Sequence, residues 1–264
     1  MDLLDELLAL ATELAAQAAA LLVDGLDRPR SSVSTKSTST DMVTEMDRAS
    51  ERLIVDGLRA ARPDDALVGE EGASAAGTSG VRWIIDPVDG TTNYLYGLAG
   101  FAVSIAAELD GQPAIGVVND PLHRDVFTAV RGRGAHRNGR TLHVEGTDDL
   151  GQALVATGFA YDPERRRRQA EVLIQVLPRI RDIRRIGAAS VDLCSVACGR
   201  VDAYYERGLG PWDFAAGALI AAEAGAVVGD LAGGPPSGGF VLAAPTGLFE
   251  PLRSILEAAG AGNA

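Results

Sequence analysis

Cysteine is almost absent from this chain. Its 264 residues include two, Cys194 and Cys198, whose spacing of four stacks them on one helix face. Two thiols cannot frame a disulfide-stapled domain or make a zinc site alone. They read as core packing, and a reducing, cytoplasmic setting is expected. Histidine is nearly as scarce: His123, His136 and His143 fall in a hairpin region and read as turn or surface residues. Neither a Ser-His-Asp nor a Cys-His arrangement is evident. Aromatics are 5% of the chain while hydrophobic residues are 47%, so small aliphatic side chains must fill the core.

Positive charge is also in short supply. Lys and Arg number 24 against 36 acidic residues, for a net charge of −12. Such a chain attracts nucleic acid poorly, and no nucleic-acid partner is expected. The one dense basic run, Arg165–Arg168, follows Pro163-Glu164 at a helix start and reads as a solvated face. Basic residues are missing ahead of the apolar stretch Ala9–Val23 as well. Asp2, Asp5, Glu6 and Glu13 precede or interrupt it, whereas a secretory leader opens with positive charge. Leu3, Leu4, Leu7, Leu10, Leu14, Ala18 and Leu21 recur at helical spacing. The segment is expected to be an amphipathic core helix, with no membrane association.

The length suits one domain, residues 1–264, made of two packed subdomains. Residues up to about 145 read as helices followed by an antiparallel sheet. Ser31–Thr40 is a loop or hairpin, Glu45–Ala61 a helix and Leu67–Gly69 a strand. Ala73–Gly80 is a loop, and Val81–Ile85 is a central strand that stops at Asp86-Pro87. Phe101–Ala107, Pro113–Asn119 and Val126–Val130 follow as strands, and Asn138-Gly139 makes a tight hairpin turn. From about 146 onward strands and helices alternate: strands at Leu154–Ala156, Ile183–Ile186, Ala203–Glu206, Ala226–Gly229 and Val241–Ala244, helices at Glu164–Val176, Ser190–Cys198, Asp213–Ala224 and Phe249–Ala258. The fold class is α/β (α+β layered).

One segment carries most of the chemistry: Trp83-Ile84-Ile85-Asp86-Pro87-Val88-Asp89-Gly90-Thr91-Thr92-Asn93. An apolar strand delivers two carboxylates at its carboxyl end, where ligand sites of α/β sheets lie. Pro87 stiffens the link between them, and Gly90 lets the backbone come close to a ligand. Thr91 and Thr92 offer hydroxyls, and backbone N–H groups would face an anion if a helix starts there. Carboxylates and carbonyls are hard oxygen donors that suit magnesium. An Asp-Pro turn before an N-capped helix is the plainer reading of the same residues.

Asp86-Pro87-Val88-Asp89-Gly90-Thr91-Thr92-Asn93 resembles the first signature of the inositol monophosphatase family, and Trp212-Asp213-Phe214-Ala215-Ala216-Gly217 resembles the second. Gly69-Glu70-Glu71, Val43-Thr44-Glu45-Met46-Asp47, Gly187-Ala188-Ala189 and Tyr204-Tyr205-Glu206 match further elements in order. The likeness runs from about residue 36 to 225.

The resemblance implies an αβαβα sandwich of alternating helix and sheet layers, as in sugar phosphatases, and a lithium-sensitive phosphoric monoester hydrolase. It implies two to three Mg2+ per site: Glu70, Asp86 and the Val88 carbonyl holding one, Asp86, Asp89 and Asp213 a second, and Glu70 a third through water. Asp47 and Thr91 would orient and deprotonate the attacking water; the plainer alternatives are an exposed first-turn carboxylate for Asp47 and a helix N-cap for Asp213, the latter compatible with metal binding. Lys36 would sit on a loop near the metals, or simply in solvent. Substrate contacts would come from Asp89, Gly90, Thr91, Thr92, Gly187, Ala188, Ala189, Glu206 and Asp213. A homodimer is implied.

Three positions depart from the family pattern: Val88 for isoleucine, Tyr94 for phenylalanine, and Ala188 for Thr or Ser. The last removes a hydroxyl facing the substrate. myo-Inositol monophosphate is the first-ranked substrate. Histidinol phosphate, fructose 1,6-bisphosphate, NADP and 3′-phosphonucleotides follow, and a regulatory interaction protein is the non-enzyme alternative.

Overall fold

The structure is a computed structural model that describes residues 2–26, 34–35, 42–43 and 45–264. It opens with helix α1 (Leu3–Gly25), capped reciprocally. Asp2 Oδ1 accepts from the Asp5 N–H at 3.0 Å and Asp5 Oδ2 from the Asp2 N–H at 3.2 Å, so two otherwise orphaned donors are satisfied. By length and composition α1 could cross a membrane. Its inner face is instead consumed by the core: Leu7, Ala11, Leu14, Ala15, Ala18, Ala19, Leu22 and Gly25 are buried. The buried stripe is rotated from the expected one. Alanines carry much of it, and Leu3 is exposed, because small residues let α1 lie close to its neighbours.

Strands β1 (Ser34–Thr35) and β2 (Met42–Val43) pair antiparallel, so the expected loop or hairpin is a hairpin at its base; Lys36 and Thr44 lie outside the described residues. Helix α2 (Glu45–Ala61) packs against α1. Next come β3 (Ala66–Gly69), β4 (Ser74–Ala75), β5 (Val81–Asp89), helix α3 (Thr91–Tyr96), β6 (Ala102–Leu109), β7 (Gln112–Asp120), β8 (Asp125–Val130), β9 (Ala135–Arg137) and β10 (Arg140–Thr141). They form an eight-stranded sheet of order β10-β9-β8-β7-β6-β5-β3-β4. The expected Ala73–Gly80 loop thus contains the edge strand β4. Asn138 and Gly139 both have positive φ, 50° and 76°, as the tight turn requires.

The expected end of β5 at Ile85 is corrected: the strand continues to Asp89. Pairing with β6 shifts register between Asp86↔Ser104 and Asp89↔Ala102, so three steps on β5 face two on β6. Pro87 has no N–H to give the ladder, and its carbonyl instead accepts from Ser50 Oγ on α2 at 2.9 Å. The resulting bulge bends the strand end and re-aims its side chains.

The second half supplies β11 (Leu154–Thr157), α4 (Pro163–Val176), β12 (Asp182–Arg184), α5 (Ala189–Ala197), β13 (Ala203–Glu206), α6 (Pro211–Glu223), β14 (Val227–Gly229), β15 (Val241–Ala244) and α7 (Thr246–Ala258). The five strands form a mixed sheet of order β12-β11-β13-β15-β14, parallel at β11–β12 and β11–β13 and antiparallel elsewhere.

Three apolar cores separate five layers. The first lies between α1/α2 and the large sheet. The second holds α5 and α6 between the two sheets, and the third lies between the small sheet and α4/α7. This is the αβαβα sandwich. The central layer is tightly packed: a Cβ added at Gly116 on β7 would stand 2.9 Å from the Ala216 carbonyl oxygen on α6. Cys194 is buried and Cys198 half-buried, both free thiols.

Candidate active site

The large sheet and the central helices meet where β3 and β5 end. These strands run parallel, with Gly69 opposite Ile85, so they finish side by side and set Glu70 next to Asp86. The Glu70 N–H donates to the Ile85 carbonyl at 3.1 Å. Glu51 on α2 steadies this corner: its carboxylate accepts from the N–H groups of Glu71 at 2.9 Å and Ala73 at 3.1 Å. From the other half, the first turn of α6 contributes Asp213. Carboxylate oxygens of Asp86, Asp89 and Asp213 lie within 4.8 Å of one another.

Each carboxylate is held. Asp86 Oδ1 accepts from the Val88 N–H at 3.0 Å. Asp89 Oδ2 accepts from both the N–H and the hydroxyl of Ser190 at the start of α5, at 2.7 and 2.6 Å. Asp213 Oδ2 accepts from the Gly210 N–H at 2.6 Å, so it caps α6 and lines the cleft at once. Asp86 is 1% exposed and Asp89 6%. Burial, then the charges of Glu70, Asp89 and Asp213, pushes the Asp86 carboxyl well above its ordinary range. Burial also pushes Asp213 well up, reinforced by Asp89 and Glu70. Asp89 rises to about 6, again chiefly from burial, with the Ser190 hydrogen bonds opposing. Buried like charges of this kind are penalised until a cation joins them. All donors in the cluster are hard oxygens, the set that magnesium takes.

These residues floor a cleft of about 420 Å³. Glu70, Asp86, Val88, Asp89, Gly90, Thr91, Gly187, Ala189, Glu206 and Asp213 all line it. Gly90 has φ 89°, and a Cβ there would stand 2.7 Å from the Gly100 carbonyl oxygen, so only glycine fits. Asp47 is fully buried rather than an exposed first-turn carboxylate; Thr91 Oγ1 stands 2.9 Å from its Oδ1. Thr92 sits in the first turn of α3 and Ala188 is buried as the N-cap of α5; neither is among the cleft residues.

Glu206 Oε2 accepts from the Tyr204 hydroxyl at 2.8 Å, and burial lifts its carboxyl to about 7. None of the three histidines lines the cleft. His123 Nδ1 stands 2.7 Å from Asp120 Oδ2 at the turn after β7.

The basic run behaves differently from the expectation at one position. Arg167 and Arg168 pair with Glu164 on the outer surface, at 2.8 and 3.5 Å, but Arg165 lines the cleft. Helical spacing held the signal: Arg165 shares a face with the buried Gln169 and Val172, four and seven residues on. Arg185 and Arg207 also line the cleft without having been singled out; nor were Ser190 and Glu51. Trp212, which lines the cleft too, and Asn93 stood in the two signatures with no role given; Asn93 donates from Nδ2 to Gly100 O at 2.6 Å and Ile186 O at 2.8 Å. Their roles depend on pairings distant in sequence, which spacing does not reveal.

Alternating layers, with buried carboxylates at the strand ends opening on a polar cleft, place the molecule in the sugar-phosphatase class of αβαβα sandwiches. Residues 3–261 match the inositol monophosphatase family, and the chain belongs to it. It is 45% identical to the inositol-1-monophosphatase SuhB of Mycobacterium tuberculosis, over 94% of this chain and 92% of that one. It is 40% identical to the Nus factor SuhB of Pasteurella multocida, over 96% of each. The crystal structure of the extragenic suppressor protein suhB from Bartonella henselae superposes with a TM-score of 0.91 at 35% identity, covering 96% of this chain and 98% of that one. Family membership makes the protein a phosphatase.

Proposed function

We propose that the protein hydrolyses the phosphate monoester of a small polyol, with myo-inositol monophosphate as the first candidate and Mg2+ as its metal. The observation that carries this reading is the carboxylate trio within 4.8 Å, two of its members buried and Asp213 half-buried, backed by the Thr91–Asp47 contact. Glu70, Asp86, the Val88 carbonyl, Asp89 and Asp213 would hold two to three ions. Magnesium bound there would lower the pKa of water and neutralise the phosphate oxygens.

The chain's own groups do the rest. Thr91, held by Asp47, orients the attacking water, and Asp47 receives its proton, while Glu70 positions water at the floor. Gly90 and Thr91 approach the phosphate, and Thr92, outside the cleft lining, would meet it only through its backbone N–H. As the new O–P bond forms, the ester P–O bond breaks on the opposite side, and the leaving oxygen takes a proton from solvent water and departs as the alcohol. Glu206, Asp213 and the backbone around Gly187, Ala188 and Ala189 receive the polyol hydroxyls. Lys36 would screen charge near the metals. We extend the reading to a cytoplasmic homodimer inhibited by lithium, by family resemblance.

Phosphate release tests it, with inositol 1-phosphate, histidinol phosphate, fructose 1,6-bisphosphate, NADP and 3′-phosphoadenosine 5′-phosphate, each in magnesium and in EDTA. Magnesium-dependent release with inositol 1-phosphate preferred is the expected result. Release that persists in EDTA would remove the metal from the reading, and preference for another ester would replace the substrate. A regulatory interaction role is the second reading, motivated by the name Nus factor carried by the Pasteurella multocida relative. Tight, strongly salt-dependent RNA binding would support it.

A further inference from the structure

The cleft has a second electrostatic pole. Arg165 in the first turn of α4, Arg207 after β13 and Arg185 after β12 line the same cleft as the carboxylates. In a chain of net charge −12, three arginines facing one cavity call for an explanation, and ion pairing does not provide it. Among the described residues, the ion pairs around them are made by Arg167, Arg168 and Arg184, not by Arg165 or Arg185. Arg207 donates from Nη1 to the Ala264 main-chain oxygen. Glu164, next to Arg165 in sequence, pairs with Arg167 and Arg168 instead, and Asp162 spends its Oδ1 on the Arg165 backbone N–H at 2.8 Å. Arg185 feels the charges of Asp192 and Glu206 without bonding to either.

Behind Arg165 on the same helix, Arg168 also acts on Arg207, although its own charge is shared with Glu164. The Nε groups of both Arg168 and Arg207 are buried with no acceptor. Burial first, and then the charges of Arg165 and Arg168, depresses the Arg207 guanidinium below its ordinary range. Unsatisfied buried donors and gathered like charges are each costly; Arg207 lines the cleft, and an anion bound there would offset its charge repulsion with Arg165. The planar guanidinium fork matches phosphate in particular.

We propose that Arg165 and Arg207 form an anion-binding subsite, with Arg185 as its third cationic wall, that receives a second phosphate carried on the alcohol part of the substrate. This rests on the phosphatase reading of the acidic pole. The ester at that pole is the one cleaved; the second phosphate stays covalently attached and anchors the molecule. A cleft of about 420 Å³ is large enough for a small polyol bisphosphate. The subsite would make selectivity among phosphorylated polyols depend on residues outside both family signatures.

The subsite can be tested without metal. In EDTA the four carboxylates repel phosphate, so binding of inorganic phosphate reports the arginines. Calorimetric titration of the wild-type protein should show one site, weakened about tenfold in Arg165→Gln and in Arg207→Gln, with Arg165→Lys between. Circular dichroism and thermal melts establish that each variant folds; Arg165→Gln, on a half-buried helix position, carries the test if Arg207→Gln does not. Equal affinity in wild type and Arg165→Gln, or no binding by wild type at roughly tens of millimolar phosphate, overturns the proposal. In magnesium, the ratio of kcat/KM for a hexitol 1,6-bisphosphate over the matching 1-phosphate should fall about tenfold in Arg165→Gln, and an unchanged ratio also overturns it. No hydrolysis of either ester, with Arg165-sensitive phosphate binding intact, would sink the phosphatase reading and leave the subsite standing.

Discussion

The Thr91 hydroxyl stands 2.9 Å from a carboxylate oxygen of Asp47, forty-four residues earlier in the chain and fully buried. It also lies 3.1 Å from the Val88 carbonyl oxygen. One hydroxyl proton can satisfy only one of these acceptors at a time, and the Asp47 oxygen is the nearer. The pair couples α2 to the start of α3 at the cleft floor.

If Asp47 accepts the proton of the attacking water, Asp47→Asn should lower kcat about a hundredfold or more while the thermal melt stays near wild type. Thr91→Ser should keep most of the activity and Thr91→Val should lose it. A near-normal kcat for Asp47→Asn would reduce Asp47 to a structural acceptor.

Asp89→Asn removes charge from the carboxylate trio but keeps an oxygen able to accept from Ser190. The expected outcome is loss of turnover with the fold retained, and weaker magnesium binding by calorimetry. Activity close to wild type would take Asp89 out of the metal site.

Glu206 gives a stability signature. Its folded-state pKa is about 7, raised from 4.5 mainly by burial. The folded protein therefore binds more protons than the unfolded chain between those values. The stabilising contribution is complete below about pH 4.5 and is lost as pH rises through about 7. Glu206→Gln should flatten that part of the stability profile, most visibly in the difference between pH 5 and pH 8 melts. Parallel profiles for variant and wild type would contradict the raised pKa.

Gly90→Ala places a Cβ 2.7 Å from the Gly100 carbonyl oxygen at a φ of 89°. The strain should cost about 1–3 kcal/mol of stability and lower activity by displacing Thr91. Chemical denaturation reads the first and phosphate release the second. An unchanged midpoint would mean the loop relaxes freely.

Much of this was legible from residue order because it is local. Strand β5, the turn at Asn138-Gly139 and the alternation after residue 146 are written in short-range patterns. The carboxylates Asp86 and Asp89 come on one strand, and a family signature pointed to Asp213. What was illegible depends on packing. β5 runs past Pro87 because Ser50, on another element, takes up the Pro87 carbonyl. The buried stripe of α1 follows its alanines because the neighbouring layers come close. Arg165 looked like part of a solvated run, although its spacing of four and seven from Gln169 and Val172 set it on the inner face of α4. Ser190 grips Asp89 across 101 residues, a pairing that no spacing rule anticipates.

The contact between Gly116 and Ala216 has an evolutionary consequence. With the central layer clamped between two sheets and no room for even one added carbon, the floor of the cleft cannot drift without dislodging several elements together. New substrate preferences should therefore arise by exchange at the rim, around residues 159–165 and 206–210, where side chains can vary while the layers beneath stay in place.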